Sequence, residues 1–204
     1  MLRAPIPLDA ALTVDVAGPR ATLRQDETVL AEAAPGSLDV DPPEPVPYEE
    51  ALAAGERYPG FTTHPMPTCF GCGGERAPGD GLRLAIGRLG DGRVAAAWQP
   101  DDSLLPAGAE VPVIGAEFAW TVLDCTSGWA WDMPGEPALL GTMTGIVDEA
   151  PYAGDRCVAV AAVVSREGRK IRTVSALYDA DGRVLGRAQS VWVTVDPARF
   201  AVTG

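Results

Sequence analysis

Apolar residues recur at helical spacing along residues 115–131, GAEFAWTVLDCTSGWAW, the longest proline-free stretch of the chain with that period. Phe118, Val122 and Cys125 fall on one face, with Ala119, Leu123 and Trp129 close beside it, so the pattern predicts one buried helix. Asp132, Met133, Pro134 and Gly135 then end it, because proline and glycine do not continue a helix. Every long stretch that follows reads as strand: 138–147, 156–167, 171–179 and 184–195, with Gly168 and Ala180-Asp181-Gly182 as turns. Their short connections predict an antiparallel meander. Ahead of the helix, 82–86 and 93–98 pair as a hairpin around Gly90-Asp91-Gly92.

The first 34 residues alternate in short segments, 12–16, 20–23 and 28–31, which predict a small β-meander. Prolines at 35, 42, 43, 45, 47, 59, 65 and 67 exclude long regular structure from the next stretch, apart from a short helix at 48–54. That stretch is either a wrapping arm or a linker. The expected division is therefore a meander and proline-rich arm over residues 1–63, then an α+β domain over 64–204 in which the sheet curls around the helix.

Composition narrows the function classes. A chain of 204 residues, 47% hydrophobic and 22% charged, has the makeup of a soluble globular protein. No apolar run reaches the roughly 18 residues that a membrane span needs, and the opening MLRAPIPLDAALTV has no continuous apolar core of a signal peptide. A cytoplasmic protein without membrane partners is expected. The net charge of −12 argues against nucleic acid, which is held by clustered Lys and Arg. An anionic ligand would have to be met by a local group of arginines or by amides at a helix start.

The four cysteines, Cys69, Cys72, Cys125 and Cys157, do not form a secreted disulfide framework in a chain of this size and are expected to be reduced. Cys69 and Cys72 have the C-x-x-C spacing that suits zinc or a redox dithiol. A structural zinc site usually takes four ligands, and the only nearby addition is His64, the sole histidine. On that ligand count no metal is expected, and a tight glycine-rich turn with two small thiols is the favoured reading.

Two acids stand out on the helix. Glu117 lies in its first turn, where the helix dipole favours an acid. Asp124 sits between Leu123 and Cys125 in the middle of the apolar run, where an ionised carboxylate costs several kcal/mol unless it is paired or used. The helix start supplies unpaired N–H groups at Gly115 and Ala116, suited to an oxyanion. Asp124 is more than two turns further on, about 12 Å along the axis, so within one chain the two do not act on one atom.

The segments CFGCG followed by GLRL, the helix ending in LDCTSGWA, the break EAPYAGDR and the terminal SALYDADGRVLGRAQSVWVTV together resemble the hotdog-fold acyl-CoA thioesterases of the phenylacetyl-CoA and 4-hydroxybenzoyl-CoA type. The likeness covers roughly residues 64–196. It implies a hotdog fold, a curved antiparallel sheet wrapped around one long central helix, here with a proline-rich N-terminal extension. It also implies hydrolysis of an acyl-CoA or acyl-carrier-protein thioester by a homodimer or dimer of dimers, with no cofactor beyond the coenzyme A of the substrate. Asp124 matches the family's helix carboxylate, which activates water or attacks the carbonyl. The family's His-Gly-Gly at the helix start, which holds the thioester oxygen on the partner subunit's side, reads Gly115-Ala116-Glu117 here. The Ala116 amide can serve, whereas the family histidine is missing.

Ser127 and Thr126, just past the acid, are candidates to position the water, or else cap nearby carbonyls. Arg169 and Lys170, with Arg172, form the densest basic cluster and are candidates for the nucleotide end of CoA, or else a solvated turn. Trp120, Trp129, Trp131 and Met143 suggest an apolar pocket or, equally, core. Two other readings remain: a non-catalytic hotdog ligand-binding or scaffold protein with Asp124 structural, and a hotdog dehydratase, which needs a histidine that His64 does not place on the helix.

Overall fold

The computed structural model describes residues 1–7 and 9–197. Strands β1 (Thr13–Ala17), β2 (Arg20–Gln25) and β3 (Thr28–Ala33) form a three-stranded antiparallel sheet. Helix α1 (Tyr48–Gly55) follows, then β4 (Gly87–Arg88), β5 (Val94–Trp98), α2 (Ala116–Gly128), β6 (Ala138–Val147), β7 (Cys157–Glu167), β8 (Lys170–Tyr178) and β9 (Val184–Thr194). The last six strands make one antiparallel sheet in the order β4-β5-β7-β8-β9-β6.

This sheet is covered on both faces, which is why its central strands read as apolar runs rather than as clean alternation. Cys157, Ala159 and Ala161 of β7 and Ile171 and Leu177 of β8 pack with Val122 and Leu123 of α2. The alternate residues Val158 and Val160 of β7 and Ala176 and Tyr178 of β8 pack with Ala51 and Ala54 of α1. Val122 and Leu123 are wholly inaccessible, and burying each such side chain contributes about 1.5–3 kcal/mol. The small residues of β7 let both helices approach the strand closely.

The fold is thus a helix and antiparallel-sheet mixture, as expected, but α2 is a 13-residue helix rather than the longer one read over 115–131. Its last turn closes early, because the amides of Trp129 and Ala130 bond to the carbonyls of Thr126 and Ser127. A second correction concerns strand order. Only β7-β8-β9 is a meander, since β6 crosses to pair with β9 through residues 148–156 instead of folding back on β7. A third concerns 82–86, which is not a strand. The amides of Leu82 and Leu84 are taken by the carbonyls of Phe70 and Gly71, and Arg83 adopts a φ of +51°, so no ladder forms.

The N-terminal sheet leans on the outer edge of β6. The Leu2 amide donates to the Gly141 carbonyl at 2.9 Å, and Gly36 approaches Thr144. Residues 1–4 are themselves paired to β3, through Arg3 and Leu30 and through Glu32 and Met1.

Candidate active site

Asp124 projects from the middle of α2. The residue is partly exposed, yet its Oδ1 is inaccessible and has no hydrogen-bond partner among the described residues. Burial, helped by the negative field of Cys69, raises its pKa to about 7. Among the described residues no cation offsets it. A carboxyl of that kind gives up and takes up a proton near neutrality, which is what a general base must do.

The helix start lies elsewhere. Gly115 is the N-cap in extended conformation with no side-chain cap, and Ala116 is exposed. The Glu117 carboxylate folds back against Gly115, so closely that a Cβ there would meet its Oε1 at 2.3 Å. The amides at this end therefore face an acid of their own chain. Ile114 is held by the Pro151 carbonyl at 2.9 Å, which fixes the helix start beside the connection that follows β6.

The two hydroxyls past the acid have different surroundings. Ser127 Oγ donates to the Asp124 carbonyl at 2.9 Å and accepts from Trp192 Nε1 at 3.0 Å, so it ties the helix to β9. Thr126 is fully buried, with its hydroxyl unpartnered among the described residues. Arg169 and Lys170 are exposed in the β7–β8 turn, next to the first residues of β6, since Thr194 bonds to Arg169 and Val195 to Pro137. That is the end of the sheet opposite Gly115, so one chain does not bring the basic turn and the helix start together. A surface cleft of about 250 Å³ lined by Tyr152, Asp155, Arg156, Asp179 and Arg183 also lies away from Asp124. Its arginines are held in ion pairs, Arg156 with Glu49 and Arg183 with Asp179 and Glu149.

What the sequence spacing missed is the third thiol. Cys125 points from α2 at the C-x-x-C turn, with its Sγ 3.9 Å from that of Cys69, which in turn is 3.7 Å from Cys72 Sγ. Cys72 donates to Cys69, and the contacts with Cys125 and Cys72 drive the Cys69 pKa down, while the contact with Cys69 drives that of Cys125 up. His64 Nε2 stands 3.3 Å from Cys72 Sγ, and its Nδ1 accepts the Met66 amide at 2.9 Å. Tyr58 and Trp129 pack edge-on beside them, and Trp129 Nε1 donates to Cys72 Sγ at 3.4 Å. A periodicity argument places Cys125 on the buried face of the helix, but only the folded loop shows what it meets.

No family model matches the chain, and no curated relative does. Among solved structures it resembles the E. coli PaaI protein of the phenylacetic acid degradation operon, with a TM-score of 0.52 at 13% identity, over 60% of this chain and 87% of that one. It is also similar to a hypothetical thioesterase of Streptococcus pneumoniae crystallised with coenzyme A, with a TM-score of 0.49 at 15% identity, over 55% of this chain and 88% of that one. At such identities the likeness is one of fold. A protein of the thioesterase superfamily is also among the similar solved structures, and the helix and antiparallel sheet of this chain share the fold of PaaI.

Proposed function

We propose that the chain is a hotdog thioesterase that hydrolyses an acyl thioester of coenzyme A or of an acyl carrier protein. The observation that carries this reading is Asp124: a carboxyl with a sealed, unpartnered oxygen, raised to about 7, in the middle of the helix of a PaaI-like fold. Asp124 takes a proton from water, and the hydroxide adds to the thioester carbonyl. The tetrahedral intermediate then expels the thiolate, which receives the proton from Asp124 and leaves as the free thiol. The carbonyl oxygen, negative in the intermediate, needs amide donors.

Those donors come from a second copy. Gly115 and Ala116 lie about 12 Å along the axis from Asp124 by helix rise, so the reading requires a homodimer in which each helix start faces the other chain's acid. Glu117 then has to turn away from Gly115 when substrate enters. Arg169 and Lys170 meet the nucleotide phosphates of the CoA end. The sheet curves around α2, and the proline-rich arm limits the acyl end of the pocket.

A subunit-mixing experiment tests this arrangement. Asp124→Asn removes the base, and Ala116→Pro removes one amide at a helix position that tolerates proline. If the site is shared, mixing the two inactive variants restores thioester hydrolysis, because one site of each mixed dimer has both groups. No recovery on mixing, with dimers shown to exchange, rejects the shared site. One observation favours a second reading, a non-catalytic acyl-binding protein: the Glu117 carboxylate lies where the thioester oxygen has to sit. In that case Asp124→Asn binds acyl-CoA as the wild type does and neither hydrolyses it.

A further inference from the structure

We propose that Cys69, Cys72 and Cys125 form a zinc site that clips helix α2 to the loop ahead of it. With a metal–sulfur bond of about 2.3 Å, the sulfur–sulfur edge of a tetrahedral site is about 3.8 Å. The two edges through Cys69 are 3.7 and 3.9 Å, and all three sulfurs lie within 4.8 Å of one another. With the third edge no longer than 4.8 Å, a single ion reaches all three after a small adjustment of the side chains. A disulfide would need two of these sulfurs to close to about 2.05 Å, and all four cysteines of the chain are free thiols.

The surroundings are those of thiolates rather than of thiols packed as small apolar groups. The indole of Trp129 and the imidazole of His64 are directed at Cys72 Sγ. Three thiolates on a divalent cation leave one net negative charge, and these donors offset it. The turn is built for the approach. A Cβ on Gly71 would stand 2.3 Å from Cys125 Sγ, and one on Gly73 would meet the backbone of Cys69 at 2.6 Å. The Tyr58 hydroxyl fixes the Cys72 carbonyl at 3.0 Å.

The preference is for zinc or another soft ion with no geometric demand of its own, because sulfur ligands in a tetrahedral arrangement select that class. With Nδ1 accepting the Met66 amide, His64 carries its proton on Nε2 and serves as a donor to Cys72 Sγ. Cys69 is the least buried of the three thiols, which leaves solvent access on its side for a fourth ligand. Binding displaces the thiol protons to solvent, and zinc keeps its oxidation state throughout. The clip acts on the helix that bears Asp124, yet it stands whether or not the chain cleaves thioesters.

The test uses the reduced full-length protein. Zinc content after dialysis, and Co(II) titration followed by its thiolate charge-transfer and tetrahedral d–d bands, give one equivalent bound and a three-thiolate spectrum. Cys125→Ser and Cys69→Ser each weaken binding by at least about 100-fold, while Cys157→Ser leaves it unchanged, with circular dichroism confirming that each variant is folded. Bound metal also protects three thiols, and not two, from alkylation. Equal affinity in wild type and Cys125→Ser, or no metal uptake by the reduced protein, overturns the proposal.

Discussion

Trp192 Nε1 donates to Ser127 Oγ at 3.0 Å across 65 positions of sequence, and the same oxygen donates to the Asp124 carbonyl at 2.9 Å. This relay pins the C-terminal half of α2 to β9 and sets the rotation of the helix on the sheet, and with it the direction of the Asp124 side chain. The single hydroxyl proton of Ser127 is spent on the Asp124 carbonyl, so Ser127 positions the acid's backbone and does not donate to a water. Ser127→Ala leaves a buried indole N–H without its acceptor, which costs about 1–3 kcal/mol. Urea unfolding should show that loss, with hydrolysis in the folded variant within a few-fold of wild type. A selective loss of kcat with unchanged stability would return Ser127 to the chemistry.

Gly71 separates the C-x-x-C turn from the helix by the width of a hydrogen atom. Gly71→Ala drives a methyl group into Cys125 Sγ and against Thr121 Cγ2, at 2.3 and 3.0 Å before any relaxation. Overpacking of that kind costs about 1–3 kcal/mol. The measurement is the midpoint and slope of chemical unfolding, and an unchanged midpoint would show that the loop moves freely away from α2.

Arg183 bridges Glu149 and Asp179 on the surface. The bond from Arg183 lowers the Glu149 pKa, and for Asp179 the bonds from Arg183 and the Asp181 amide outweigh the upward push of partial burial. Groups with folded pKa values below their unfolded ones stabilise the protein above the unfolded value, near 4, and lose that contribution as pH falls through the folded value. The Tm difference between wild type and Arg183→Gln should therefore be present at neutral pH and shrink between about pH 5 and 3. A difference that stays constant over that range contradicts the assignment.

Leu2 and Gly36 lie against the outer edge of β6, whose other side is paired to β9. An uncovered strand edge is a template for pairing with another chain. Deleting residues 1–36 should produce larger species in sedimentation at the same protein concentration. A truncated chain that sediments in the same assembly state as the intact one would mean that the meander does not guard the edge.

The strands were legible because their signals are local. β6 matches its expected bounds residue for residue, and β7, β8 and β9 differ by a single residue at one or both ends. Their order was not legible, since a long connection such as 148–156 carries no mark of which edge it leads to. The run 82–86 has the composition of a strand, but its amides are claimed by Phe70 and Gly71, a tertiary competition that no window of sequence contains. The same holds at the site. Asp124 stood out because a charge in an apolar helix is a local anomaly, whereas Cys125 looked like one more buried small residue until the loop placed Cys69 beside it.

The central claim is that the carboxyl of Asp124 performs the proton transfer in thioester cleavage. The most direct measurement is kcat/KM of Asp124→Asn against a panel of acyl-CoAs, with folding checked by circular dichroism. If Asp124 is the base, the variant loses about 10²- to 10⁴-fold on whichever acyl-CoA the wild type cleaves best; a rate equal to wild type on that substrate removes Asp124 from the chemistry.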